Sequence, residues 1–357
     1  MQQLKAFLSR KNIVLSARRY GIDALGAMAQ GLFCSLLIGT ILRTVGQQTD
    51  CSFLTDIGNY AMAMAGPAMA VAIGTALKAN PLVLFSLVSV GWAANSEGGA
   101  GGPLAVLVIA AIAAECGKAV SGETKIDILA TPAVTVLIGI ALAKLIAPPI
   151  GSAASAFGLM IDQATKLAPF AMGIAVSVLV GIALTLPISS AAICSVLGLT
   201  GLAGGAALAG CCAQMVGFAC MSFRENGVGG LVSQGLGTSM LQMPNIIRNP
   251  RIWIPPILVS AVTGPVATCL FRLEMNGAPI NSGMGTCGLC GPIGVLTGWF
   301  SPTVEAVQRG AQAIVPSAFD WMGLLLVSLV LPALLTPLAA AVLRRLGWIR
   351  EGDLALR

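Results

Sequence analysis

The chain contains no histidine and few charges: none of its 357 residues is His, and Asp, Glu, Lys and Arg together make up 10%. Without an imidazole there is no histidine base and no phosphohistidine chemistry within the chain. The scarcity of charge excludes a soluble fold of this size, since such domains carry about 25% charged residues to keep their surface wetted. A glycine-rich Walker A loop is missing, so ATP does not drive the protein directly. No span repeats arginine every third residue, which argues against a voltage sensor.

What is present fits a bilayer. Hydrophobic residues make up 56% of the chain and its mean hydropathy is +0.89. Lipid solvates Leu, Ile, Val and Ala without cost, and membrane helices use glycine and proline more freely than soluble ones, in keeping with 43 Gly and 19 Pro. Apolar runs such as Leu104–Ala114 and Leu324–Val342 are continuous, without the period-two alternation of a transmembrane barrel. Several reach about 20 residues, enough to cross a hydrocarbon core.

The expected fold is therefore an all-α polytopic membrane protein with about eight to ten transmembrane helices, some interrupted or re-entrant. The candidate spans are 22–44, 57–77, 81–95, 102–120, 127–147, 168–186, 188–220, 228–242, 252–271, 286–300 and 319–343. The stretch 188–220 is long enough for two broken helices. Polar connectors are expected at 45–56, at 148–166 (Pro148, Pro149, Asp162, Lys166) and at 272–284 (Arg272, Glu274, Asn276, Asn281).

Residues 1–21 carry Lys5, Arg10, Lys11, Arg18 and Arg19 among Leu4, Phe7, Leu8, Ile13, Val14 and Leu15. This is not the pattern of a cleavable signal peptide. It reads as an amphipathic helix on the anionic cytoplasmic leaflet. With Arg344, Arg345, Arg350 and Arg357 at the other end, the positive-inside rule places both termini in the cytoplasm and the crossings at an even number. The expected organisation is an N-terminal helix over 1–21, one transmembrane domain over 22–345 and a short cytoplasmic tail over 346–357. The ten cysteines lie in or beside apolar runs and are expected as free thiols of an inner-membrane protein. Cys287 and Cys290 have CxxC spacing; the choice there is between a metal or redox pair and small residues that let helices pack closely. No cofactor or metal is expected.

Two segments place charge and glycine together inside apolar sequence. One is Trp92–Pro103, with Asn95, Ser96 and Glu97 before Gly98, Gly99, Gly101 and Gly102. The other is Met221–Gly230, with Arg224, Glu225 and Asn226 before Gly227, Gly229 and Gly230. Such runs end helices and let backbone groups point into a cavity, and irregular backbone at membrane depth survives only where protein or water covers it. A new helix N-terminus beside them favours hydroxyls and anions, and a carboxylate there accepts hydrogen bonds from a polyol or takes up a proton or cation. Glu97 and Glu225 lie 128 residues apart in the two halves of the chain. Paired interruptions at matching positions mark the binding site of transporters built from repeats; the alternative is that both are surface turns.

Other polar groups sit in apolar context. Leu186-Pro187-Ile188-Ser189-Ser190 has the pattern of a kinked, cavity-lining helix. Gln214 lies three residues after Cys211, hence on the same helix face, as an interhelical hydrogen-bonding group or a ligand contact. The tract with Gln234, Thr238, Ser239, Gln242 and Asn245 reads as a short re-entrant segment lining the same cavity as Glu225, with Arg248 and Arg251 at its cytoplasmic exit. Glu115 and Lys118 at i,i+3 pair on one helix face or dock a partner, close before Thr124-Lys125-Ile126-Asp127, a loop and helix start.

The phrases Asn95-Ser-Glu-Gly-Gly, Thr124-Lys-Ile-Asp-Ile-Leu-Ala-Thr-Pro132, Leu186-Pro-Ile-Ser-Ser190, Ser222-Phe-Arg-Glu-Asn-Gly227, Gln234-Gly-Leu-Gly-Thr-Ser and Pro244-Asn-Ile-Ile-Arg-Asn-Pro250 resemble the membrane (IIC) subunits of the phosphotransferase system. Within that family the chain looks most like the branch of perfringolysin-regulator-like proteins. The resemblance implies a homodimeric inner-membrane carrier that binds a sugar-like solute through a glutamate and neighbouring polar groups of interrupted helices. It also implies a cytoplasmic IIB-type protein that phosphorylates the solute. These 357 residues hold neither a fused IIA or IIB domain nor the site histidine of the glucose-type IIC proteins.

The leading expectation is a IIC-like carrier of a small polar solute, a sugar or related compound, held between the two halves. No catalytic residue is assigned, and any enzymatic role is at most that of the membrane component of a sugar phosphotransferase system. Glu97 and Glu225 would accept hydrogen bonds, Asn95, Ser96, Asn226, Gln234, Asn245, Ser189 and Gln214 would orient the solute, and Arg224 would pair a carboxylate or an anionic substituent. The expected partners are the solute, membrane lipid, a second copy of the chain and the IIB-type protein, with no nucleic acid. A solute sensor or regulator without net transport, and a carrier driven by H⁺ or Na⁺, are the alternatives.

Overall fold

Apolar segments broken by glycine and proline fold into helices that meet through their smallest residues. The computed structural model describes residues 7–308 and 310–356, and these form helices and loops. Their one bridge of strand type joins Gly201 and Met275. Six helices are long and apolar enough to cross a membrane, or up to seven with the bent pair Ser52–Ala63 and Ala65–Ala76 counted as one span; the helices Pro169–Thr185 and Cys287–Phe300 are shorter but equally apolar. The chain is an all-α polytopic membrane protein. It divides into two compact units, residues 1–153 and 154–357.

The first unit is an up-and-down array. Helix α1 (Arg19–Gln47) is followed by the bent pair α2 (Ser52–Ala63) and α3 (Ala65–Ala76), which meet at 47°. Then come α4 (Pro81–Gly98) and α5 (Gly102–Val120), and α6, which runs from Asp127 to Thr165. Close glycine contacts set the antiparallel register. A Cβ on Gly39 would lie 2.7 Å from the Gly58 carbonyl oxygen, and one on Gly66 would lie 2.4 Å from that of Gly91. Backbones this near gain dispersion contacts and weak Cα–H hydrogen bonds, which drive association where lipid is as apolar as leucine.

Two expected connectors are shorter or absent. The segment 45–56 is a turn of about three residues, because α1 continues to its last turn and α2 begins at Ser52. The segment 148–166 is not a connector, since α6 carries Pro132, Pro148 and Pro149 inside one helix. Each proline lacks the N–H that would bond the carbonyl four residues before it, a loss that membrane helices tolerate; one turn on, Ser152 Oγ donates to the Pro148 carbonyl at 3.0 Å. The side chain of Asp162 lies outside the described residues.

The N-terminal segment, of which residues 1–6 lie outside the described residues, is not one helix. Residues 7–10 are helical, Asn12 takes a left-handed φ of 54°, and 13–16 have no regular secondary structure. Contacts with the loop before α6 replace the helix: Arg10 bonds Glu123 at 2.6 Å, and the Lys11 ammonium bonds both Glu123 and the Ser121 carbonyl. Those cations hold the Glu123 carboxyl below its ordinary range, Lys11 foremost.

The second unit is built around α9 (Gly201–Met221), which is buried along most of its length. Against it pack α7 (Pro169–Thr185), α12 (Pro250–Leu270) and α14 (Ala318–Arg345). Between α7 and α9 lies the short α8 (Ser190–Val196). After α9 come α10 (Phe223–Val232), an irregular stretch and α11 (Met243–Arg248); α13 is Cys287–Phe300. Alanine at Gly210 would bring its Cβ within 1.8 Å of the Ser177 carbonyl oxygen. The core beside this seam holds Leu208, Cys212, Phe271, Val295, Trp299 and Leu324.

Candidate functional site

In the first unit, α4 ends in the polar run and Gly99 turns the chain with a φ of +50°. The chain reverses there, so α4 and α5 pack side by side. Asn95 is wedged between two glycines: Cβ atoms on Gly66 and Gly102 would fall 2.7 and 2.6 Å from it. Ser96 and Glu97 are exposed, and Glu97 Oε1 pairs with the α6 Lys144 ammonium at 3.2 Å. This break is a close-packed helix reversal with an ion pair at its rim. Glu115 and Lys118 do pair, at 2.7 Å, and Lys118 is buried. Its ammonium also donates to the carbonyls of Asn12 and Leu77, while Tyr20 donates to Glu115. A group so enclosed serves the fold, not a docking partner.

The second break is different. Chain direction changes twice, at Ser222 and at Gly227, whose φ of 57° lies inside α10. The helical turn between them carries Arg224, Glu225 and Asn226. Glu225 Oε1 accepts from Arg344 Nη2 at 2.8 Å, and the same nitrogen donates to the Met221 carbonyl. The other carboxylate oxygen, Oε2, is buried with no hydrogen-bond partner. Arg224 is exposed and lines an open hollow with Arg344, Arg345, Gly347, Ile349, Arg350 and Glu351.

Beyond Val232 the chain leaves regular α-helix, and its amides join in one network. Gln234 Nε2 donates to Ser222 Oγ at 2.9 Å and to the Gly230 carbonyl at 3.0 Å. Gln242 Nε2 donates to Gln234 Oε1, and Asn245 Nδ2 to Gln242 Oε1, each at 2.8 Å. Gln234, Gln242 and Asn245 are all buried. This irregular tract is thus held in part by its own side chains: each amide offers both a donor and an acceptor, so a chain of them satisfies irregular backbone that helix geometry would leave bare.

Gln214 belongs to a separate group. It lies seven residues before the end of α9, about 10 Å along the axis, and is fully buried. Trp253 Nε1 and Thr185 Oγ1 both donate to its Oε1, at 2.9 and 3.1 Å, and Thr185 is 2.8 Å from Ser239 Oγ. Because an indole N–H only donates, this contact fixes which end of the amide is oxygen. The remaining end, Nε2, is buried without a partner. Ser239 belongs to the polar tract that the sequence marks, whereas nothing local marks Trp253 and Thr185, which only the fold brings to Gln214. Ser189 is a helix cap, accepting from the Ala192 N–H at 3.1 Å.

The cysteines are free thiols, and among the described residues no group of three or more His, Cys, Asp or Glu side chains is placed to hold a metal.

A family model described as Phosphotransferase system, EIIC matches residues 22–356. The chain belongs to the EIIC family. Proteins of this family are membrane components of sugar transport and work with a cytoplasmic IIB partner. No curated protein and no solved structure matches the chain significantly. In this EIIC protein the match covers both glycine breaks, the amide network and the tail beyond α14.

Proposed function

We propose that this EIIC protein binds and translocates a sugar or related polyol through polar groups of its second unit. The observation that carries the reading is Gln214 Nε2, a fully buried amide donor without a partner, set mid-span on the central helix. Leaving such a donor unmade costs about 1–3 kcal/mol, a cost that a solute hydroxyl accepting from it would remove. Glu225 Oε2 supplies the matching acceptor toward the Met221 end. Asn226, Gln234 and Asn245 line the stretch beyond it, and Arg224 faces the hollow where an anionic substituent would be met. Asn95, Ser96, Glu97 and Ser189 are given supporting roles in packing, pairing and capping. The protein is assigned to the bacterial inner membrane as a homodimer with cytoplasmic termini, and the IIB protein phosphorylates the solute.

The test is ligand-induced thermal stabilisation of the purified protein with a panel of hexoses and hexitols, followed by uptake into vesicles containing a IIB protein. Gln214→Leu is expected to weaken the effective sugar at least tenfold, the equivalent of about 1.4 kcal/mol. An unchanged midpoint in a folded Gln214→Leu protein would remove Gln214 from the site.

A further inference from the structure

The amide network has an occupant from the same chain. Past α14 the tail folds back in a tight turn, with the Arg350 N–H donating to Asp353 Oδ2 at 2.9 Å and Asn249 Nδ2 donating to the same oxygen at 2.8 Å. The next three residues then lie on the network. Asn226 Nδ2 donates to the Leu354 carbonyl at 2.8 Å, and Gln242 Nε2 to the same carbonyl at 3.0 Å. Asn245 Nδ2 donates to the Ala355 carbonyl at 3.0 Å, and the Leu356 N–H donates to Asn226 Oδ1 at 2.8 Å. Leu354 is fully buried and Ile349 almost so.

These contacts have a definite chemistry. Withdrawal of residues 354–356 frees donor hydrogens on Asn226, Gln242 and Asn245, plus the acceptor Asn226 Oδ1. The second donor hydrogens of Gln242 and Asn245 stay committed to Gln234 Oε1 and Gln242 Oε1, so the freed groups remain aimed where the peptide lay. Three donors and one acceptor on a rigid frame suit a polyhydroxylated ligand as well as they suit a peptide backbone. Leu354, whose carbonyl takes two of these donors, is itself fully buried.

We propose that residues 353–356 are a self-inhibitory strap: the chain's own tail occupies the amide network in place of solute and must leave before the solute engages it. The proposal rests on the reading that solute passes through the second unit. Because a state that must open first lowers apparent affinity by the fraction that is open, a strap released one time in ten weakens solute binding roughly tenfold.

The test uses the full chain in lipid nanodiscs. Two variants release the strap: Leu354→Asp, which puts a charge at a fully buried position, and Asp353→Ala, which opens the turn without touching a sugar-facing amide. Hydrogen exchange of residues 351–356 is expected to be slow in the wild type and at least tenfold faster in both variants. Hexoses and hexitols are expected to speed exchange of the wild-type tail and to stabilise the variants at roughly tenfold lower concentration. A wild-type tail that exchanges like a free peptide would overturn the strap. So would sugars that stabilise wild type and variants equally while the tail stays protected, although transport through the second unit would then stand. If no sugar stabilises any of the three proteins, the transport reading itself fails and takes the strap with it.

Discussion

Charged side chains are few in this protein, and several of them are paired inside the fold. Lys118 and Glu115 form a buried pair that also ties down Asn12 and Leu77. Removing one partner leaves the other charge uncompensated, so Lys118→Met is expected to destabilise the first unit by about 3–5 kcal/mol. Denaturation in mixed micelles measures this, and adding Glu115→Gln should recover part of the loss. In the Glu225–Arg344 pair the carboxylate is as enclosed as Glu115, but Arg344 at 22% side-chain exposure is more open than Lys118 at 4%. Arg344→Gln is expected to cost about 1–3 kcal/mol, and a double-mutant cycle with Glu225→Gln should show coupling; strictly additive effects would mean the pair contributes nothing. The i,i+3 spacing of Glu115 and Lys118 made their pairing readable from sequence. The partner of Glu225 was not readable, because Arg344 lies 119 residues away and only the packing of α14 on α9 joins them.

Helices here are defined as much by how closely they approach as by where they start. The Cβ of alanine at Gly210 would lie 1.8 Å from a backbone oxygen that has no flexible end to move aside. Gly210→Ala is therefore expected to force α7 and α9 apart at a cost of about 1–3 kcal/mol or more, seen as lost monodisperse yield; a wild-type melting temperature would contradict this packing. The N-terminal segment makes a pH-dependent contact. Glu123, with its folded pKa lowered chiefly by Lys11, contributes stability that is present above the ordinary carboxylate range and lost as pH falls through the lowered value. Exchange protection of residues 7–12 should hold at neutral pH and fall away in acid. Element positions were legible from apolar runs and glycine breaks; the end of α6 was not, because a Pro-Pro pair removes two backbone donors and so reads as a connector, whereas the helix runs through it.

At the scale of the whole molecule, composition alone decides the solvent. Positive residues cluster at both ends: Arg10, Lys11, Arg18 and Arg19 at the start, and Arg344, Arg345 and Arg350 near the end. The positive-inside rule then predicts that a fluorescent-protein fusion at either terminus is bright and an alkaline phosphatase fusion inactive; an active phosphatase at either end would invert the topology. Membership in the EIIC family adds to that picture, since proteins of this family work with a cytoplasmic IIB partner.

The sequence by itself determined the membrane class, the helical architecture and two glycine-broken polar segments, because hydropathy and chain reversal depend on residues near one another in the chain. Only the tertiary structure decided that the two breaks differ. One is a packed reversal whose glutamate pairs with Lys144; the other opens onto an amide network held by the chain's own tail. That distinction depends on hydrogen bonds between residues about a hundred positions apart, such as Asn226 to Leu354 and Asn245 to Ala355. Amide side chains carry no charge or periodicity that would reveal a distant partner, so pairing of this kind becomes visible only once the backbone has brought the two ends together.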